Sequence, residues 1–166
     1  MNSVDVLKLY ADLQANNIPI WIDGGWCVDA LLGRQTRPHA DLDLAVEQQH
    51  EPPLRALLLA WGYCEESRDN STAWNFILKD ASGRRLDIHV FAYDEQGKHI
   101  YGIPYPYGSL TGTGFIDGQM VNSISPEWMF QFKTAYQPAE KDLQDVQALA
   151  DQFGFRIPAS HQIKVQ

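Results

Sequence analysis

The chain has 166 residues, the length of one ordinary domain and too short for two independent cores. Apolar residues make up 45% and charged residues 20%, which excludes an intrinsically disordered chain. With 13 Lys and Arg against 21 Asp and Glu, the formal net charge is −8. That balance speaks against nonspecific nucleic-acid binding, which works by neutralising phosphates, but not against a protein that meets a nucleotide through metal ions.

Residues 3–15 carry Val6, Leu9, Tyr10 and Leu13 at helical spacing, with Ser3 placed to cap. Ile18 to Ile22 reads as a short buried strand, interrupted by Gly24 and Gly25 as a tight turn; Trp26 to Leu32 resumes with helical spacing and stops at Gly33. After a polar loop around Pro38, residues 41–46 alternate. Asp41, Asp43 and Ala45 take one face, and Leu42, Leu44 and Val46 the other. Pro52 to Trp61 predicts a helix closed by Gly62. Strands are expected over 63–66 and 74–79, then a Ser82-Gly83 turn into a strand over 85–91 that sets Asp87 and His89 opposite Leu86 and Ile88. Residues 94–118, rich in Gly and Tyr, read only as loops with short strands. Ser125-Pro126-Glu127 is a strong helix start, and a last helix is expected from Pro138 to Phe153, closed by Gly154.

These elements predict an α+β domain spanning residues 1–166, with a small mixed β-sheet over about 1–123 and a helical part over about 125–154. The N-terminal stretch lacks a basic run followed by an apolar core, and no run of about eighteen apolar residues occurs, so a cytoplasmic protein without a membrane partner is expected. Cys27 and Cys64 lack metal-site spacing and are expected to be reduced, buried thiols.

Three features carry chemistry together: Asp23-Gly24-Gly25-Trp26, Asp41-Leu42-Asp43 and Leu86-Asp87-Ile88-His89. Alone, each has a plain reading as a turn, a chance pair or an edge acid. Period-two geometry points Asp41 and Asp43 the same way, about 7 Å apart, a separation that suits one or two Mg²⁺ ions sharing phosphate oxygens. A third carboxylate on a neighbouring strand suits a second metal or a proton acceptor, and two such metals stabilise attacking and leaving oxygens in nucleotidyl transfer. Two glycines before a helix admit phosphates to backbone N–H groups at its positive end.

The run Trp21-Ile22-Asp23-Gly24-Gly25-Trp26-Cys27-Val28-Asp29, with Gly33, Arg34, Arg37-Pro38-His39, Asp41, Asp43, Leu86-Asp87-Ile88-His89 and Glu140-Lys141-Asp142, resembles the small antibiotic nucleotidyltransferases. These are the lincosamide and aminoglycoside enzymes of the DNA polymerase β-like superfamily, and the short lincosamide type is the nearer in length and in its Leu-Asp-Ile-His run. The resemblance implies that fold, and transfer of a nucleoside monophosphate (AMP from ATP, with Mg²⁺) to a hydroxyl of a lincosamide or, next, an aminoglycoside. A toxin-modifying nucleotidyltransferase and a non-catalytic nucleotide-binding domain are the rival readings. The implied metal ligands are Asp41, Asp43 and Asp87, with Asp87 a ligand, the base, or both. His89 either assists the acceptor or is structural. Gly24 and Gly25 would meet the triphosphate. Arg37 and His39 would touch phosphates, unless Arg37 pairs with Asp29. Lys133 is favoured over Lys141 as the helix-borne triphosphate lysine, Lys141, Asp142 and Asp145 reading as a surface ion-pair group. Tyr101, Tyr105 and Trp128 are candidate acceptor walls or a small aromatic core. A homodimer that completes the acceptor pocket is compatible with so short a chain.

Overall fold

The computed structural model describes residues 1–162. Helix α1 (Ser3–Ala15) is capped by Asn2 rather than Ser3. The Asn2 side chain accepts from the Asp5 N–H at 2.8 Å while Asp5 reaches back, a reciprocal cap that Ser3 cannot offer from inside the helix. Strand β1 (Ile20–Asp23) runs directly into α2 (Gly24–Leu32). The two glycines therefore form the first turn of the helix, not a turn ahead of it, because Asp23 at the end of the strand already serves as N-cap. Gly33, at φ 66°, closes α2 as expected.

Strand β2 (Leu42–Glu47) leaves Asp41 one residue ahead of it. Then come α3 (Glu51–Ala60), β3 (Cys64–Glu66), β4 (Asn75–Lys79), β5 (Arg85–Tyr93) and β6 (His99–Gly102). The segment that reads poorly in sequence also contains β7 (Gly112–Ile116), which pairs antiparallel with β8 (Gln119–Ser123) across Asp117 and Gly118, both at positive φ. That is the backbone a two-residue hairpin requires. Helix α4 (Pro126–Thr134) starts at the anticipated Pro, and α5 (Glu140–Phe153) starts two residues later than Pro138. Among the described residues, no helix is long and apolar enough to cross a membrane.

The strands form one mixed sheet in the order β3-β4-β5-β2-β1-β8-β7, with β6 paired antiparallel to β5 off this path, and the helices flank it. The α+β expectation holds. Strands β2 and β5 are parallel and β1 and β2 antiparallel, and the register sets Asp23 opposite Asp43 and Asp43 opposite Asp87. Leu42, Leu44, Val46, Leu86, Ile88 and Val90 alternate with the acids and belong to the buried core. Cys27 is buried as expected, but Cys64 is exposed, because its edge strand has only β4 beside it. Leu44 lies in the middle of the central strand with no exposure. Leu44→Ala is expected to cost about 3 kcal/mol, measured by urea denaturation.

Candidate active site

The register places three carboxylates in one row across β1, β2 and β5, and like charges directly opposite one another repel. The outer two have partners. Asp23, buried, accepts from the Gly24 N–H at 2.7 Å and the Tyr105 hydroxyl at 2.6 Å, and lies 3.3 Å from His89 Nδ1. Asp87 takes Arg68 in a fork, Nη1 at 3.1 Å and Nη2 at 3.3 Å, and Asn75 Nδ2 at 2.8 Å. His89 bridges the row, with Nε2 3.4 Å from Asp87.

Asp43 is the odd member. Burial, reinforced by Asp23, Asp41 and Asp87 against the opposing field of His89, pushes its carboxyl up to about 7. Burial acts against charge on His89, but its bonds to Asp23 and Asp87 outweigh that and raise it to about 10, an imidazolium among carboxylates. Burial also works against Asp87, yet His89 and Arg68 hold its carboxyl below the usual range. One oxygen each of Asp43 and Asp87 and one nitrogen of His89 lie within 4.8 Å of one another. Asp41 stands at the head of β2 outside that close group, and it faces the same cavity. A group this rich in carboxylate oxygen, with Asp43 short of positive charge, fits a hard divalent cation. Asp43, Asp87 and Asp41 are the residues that would hold it.

Asp23 and Asp43 of the row border a cavity of about 820 Å³ together with Asp41 and His89, and Asp87 meets it through its partners Asn75 and His89. Gly24, Gly25, Arg37, His39 and Lys133 line it, and Ile103, Pro104, Tyr105, Met129 and Phe132 also border it. The glycines have a reason that their sequence context hides. A Cβ on Gly24 would lie 2.0 Å from Asp43 Oδ2, and one on Gly25 would lie 2.5 Å from His39 Nδ1 and 2.7 Å from Arg37 Nη2. The missing methyl groups therefore make room for this chain's own side chains.

Arg37 does not pair with Asp29. Its Nε and Nη2 bind both oxygens of Asp145 at 3.0 and 2.9 Å, and His39 takes Asp29 instead. Lys133 lies 2.9 Å from Asp145 and 3.2 Å from Asp142. Its burial opposes the charge, but the Asp145 field prevails and raises its pKa. Asp142 and Asp145 are thus no surface group: they are 5% and 1% exposed, because they fall on the inward face of α5 with Val146 and Leu149. Lys141 is exposed at the cavity rim. Tyr105 borders the cavity with its hydroxyl committed to Asp23, whereas Tyr101 packs edge-on against Trp74 and Trp128 packs against Phe132, neither bordering the cavity. Arg68 and Asn75 escape sequence reasoning because they sit in or beside a polar loop with no pattern of its own.

A family model described as aminoglycoside-2''-adenylyltransferase matches residues 5–149. The chain belongs to that family. A 2''-aminoglycoside nucleotidyltransferase of Escherichia coli is 43% identical over 121 residues, which is 72% of this chain and 66% of that protein. The match therefore spans just under two thirds of that relative. A lincosamide resistance protein of Staphylococcus haemolyticus is 29% identical over 150 residues, 87% of this chain and 89% of that protein. The crystal structure of ANT(2")-Ia in complex with adenylyl-2"-tobramycin shares the fold with a TM-score of 0.77 at 24% identity, covering 92% of this chain and 89% of that one. The fold and family implied by the sequence resemblance are those found, an antibiotic nucleotidyltransferase family.

Gly33 and Gly24, both at positive φ, separate backbone strain from crowding. Gly33→Ala, which meets nothing within 4 Å, should cost about 1 kcal/mol for the left-handed backbone alone. Gly24→Ala, at φ +59° and against Asp43, should cost about 2–3 kcal/mol. Thermal melts of the two variants side by side check the difference.

Proposed function

We propose that the protein transfers AMP from ATP, with Mg²⁺, to a hydroxyl of an aminoglycoside, releasing pyrophosphate in the cytoplasm. The observation that carries this reading is the row Asp23–Asp43–Asp87, whose first two members border, with Asp41, the same cavity as Arg37 and Lys133. Sequence resemblance puts a lincosamide first; the matching family model and the 43% identical relative move the aminoglycoside ahead. The lincosamide remains the second reading, favoured by the 29% identical relative and by the apolar border of Ile103, Met129 and Phe132.

In this mechanism Asp41, Asp43 and Asp87 would hold the metal. Bound there, Mg²⁺ would polarise the phosphate oxygens and offset the charge that develops on them. Arg37, His39 and Lys133 would receive the triphosphate beside Gly24 and Gly25. Arg68 and Asn75 fix the Asp87 carboxylate, which is ionised and so able to accept the proton of the attacking hydroxyl. The acceptor oxygen forms a bond to the α-phosphorus as the bond from that phosphorus to the bridging oxygen breaks. His89 keeps Asp23 and Asp87 in line through its two nitrogens.

Incubation with ATP and Mg²⁺ against a panel of aminoglycosides and lincosamides should add one AMP mass to an aminoglycoside, read by mass spectrometry. Addition to lincosamides alone selects the second reading, and no addition to either class refutes both. Asp43→Asn should lower turnover roughly 1,000-fold, the loss of about 4 kcal/mol of transition-state stabilisation. Its far-UV circular dichroism should stay as in the parent protein.

A further inference from the structure

The wall that carries Arg37 and Lys133 is organised by a residue that does not itself border the cavity. Asp145 on α5 is 1% exposed. Its two oxygens bind Arg37 Nε and Nη2, and Oδ2 also lies 2.9 Å from Lys133 Nζ. Two cations from different parts of the chain, one in the loop before β2 and one on α4, thus share one carboxylate.

The surrounding bonds complete the clamp. Arg37 Nη1 lies 3.1 Å from His39 Nδ1, and His39 Nε2 meets Asp29. Asp29 is held in turn by the Thr36 N–H at 2.9 Å and hydroxyl at 2.6 Å. On the other side Lys133 reaches Asp142, which accepts from the Tyr136 hydroxyl at 2.8 Å and the Ala139 N–H at 3.0 Å. With these bonds and the Arg37 Nη1 donation to the Pro38 carbonyl at 3.4 Å counted, Arg37 and Lys133 each keep one N–H uncommitted within the described residues. Both residues border the cavity.

We infer that Asp145 is a positioning residue for nucleotide binding: it fixes the Arg37 guanidinium and the Lys133 ammonium as a pair set to receive the polyphosphate of a nucleoside triphosphate. This rests on the nucleotidyltransferase reading above. Arg and Lys have the most rotamer freedom to lose, and a carboxylate shared between them removes that freedom before the ligand arrives. An opposing effect exists, because Asp145 also cancels positive charge that would attract phosphate. Its burial behind the two cations, rather than beside the ligand's place, favours positioning.

The test measures affinity for Mg²⁺ with a non-hydrolysable ATP analogue by calorimetry, and steady-state kinetics with ATP and the accepted drug. Asp145→Asn should weaken analogue binding and raise the ATP KM about tenfold, as loss of an orienting partner does at other ion sites. The kcat should change less than threefold and the drug KM should not move. Asp145→Glu, which keeps the charge, should recover most of the affinity and also serves if the Asn variant does not fold. Val146→Ala, a core change on the same helix, should lower thermal stability without shifting nucleotide affinity. Equal or tighter analogue binding by Asp145→Asn would overturn the assignment while the enzyme reading stands. An equal loss of affinity in Val146→Ala would reduce Asp145 to a purely structural role. No analogue binding by the parent protein would remove the nucleotidyltransferase reading and this assignment with it.

Discussion

Three carboxylates stand side by side on adjacent strands, and the rest of the structure is arranged to make that tolerable. The register of β1, β2 and β5 leaves no freedom in the matter: Asp23, Asp43 and Asp87 are direct neighbours across the sheet. Two have their repulsion relieved by groups from elsewhere in the chain, Tyr105 and the α2 N-terminus for Asp23, Arg68 and Asn75 for Asp87. The middle one does not, and His89 alone cannot neutralise the row. A site that balances its outer acids and leaves the central one short of positive charge has the chemistry to take up a cation.

The opposite arrangement holds at Arg37 and Lys133, which also line the cavity. There the positive groups are the ones in need of restraint, and buried acids supply it. Asp29, Asp142 and Asp145 tie the loop before β2 to α2, α4 and α5. Such buried pairs add little stability over an apolar core, since desolvation offsets most of the attraction. Their retention here matches a demand for orientation. The cavity lining thus combines acids of the row with cations that are themselves held by buried acids.

Much of this was legible in the sequence, and the limits have physical causes. The alternation of Asp43 and Asp87 with Leu44 and Ile88 identifies strands whose polar faces share a purpose, and period-two geometry is local. Pro126 and Gly33 mark helix ends by constraints inside single residues. Asp145 was misread as a surface residue because acids four apart from lysine usually form exposed pairs. Yet Asp142 and Asp145 share the helical spacing of Val146 and Leu149, and that stripe is the buried one. The two-residue Asp117-Gly118 hairpin carried its own signal, hidden among six glycines between Gly97 and Gly118. Arg68 had no signal, since its partner Asp87 is nineteen residues away and chosen only by the fold.

The span of these contacts also bears on how the chain acquires its structure. Arg37 and Asp145 are 108 positions apart, and β2 finds β5 only after α3, β3 and β4 have been laid down between them. Contacts of such sequence separation are expensive in loop-closure entropy and tend to slow folding. A chain halted before α5 would hold its full row of acids but lack the carboxylate that pins Arg37 and Lys133. During synthesis, the residues around Asp43 are therefore made long before those two cations can be fixed.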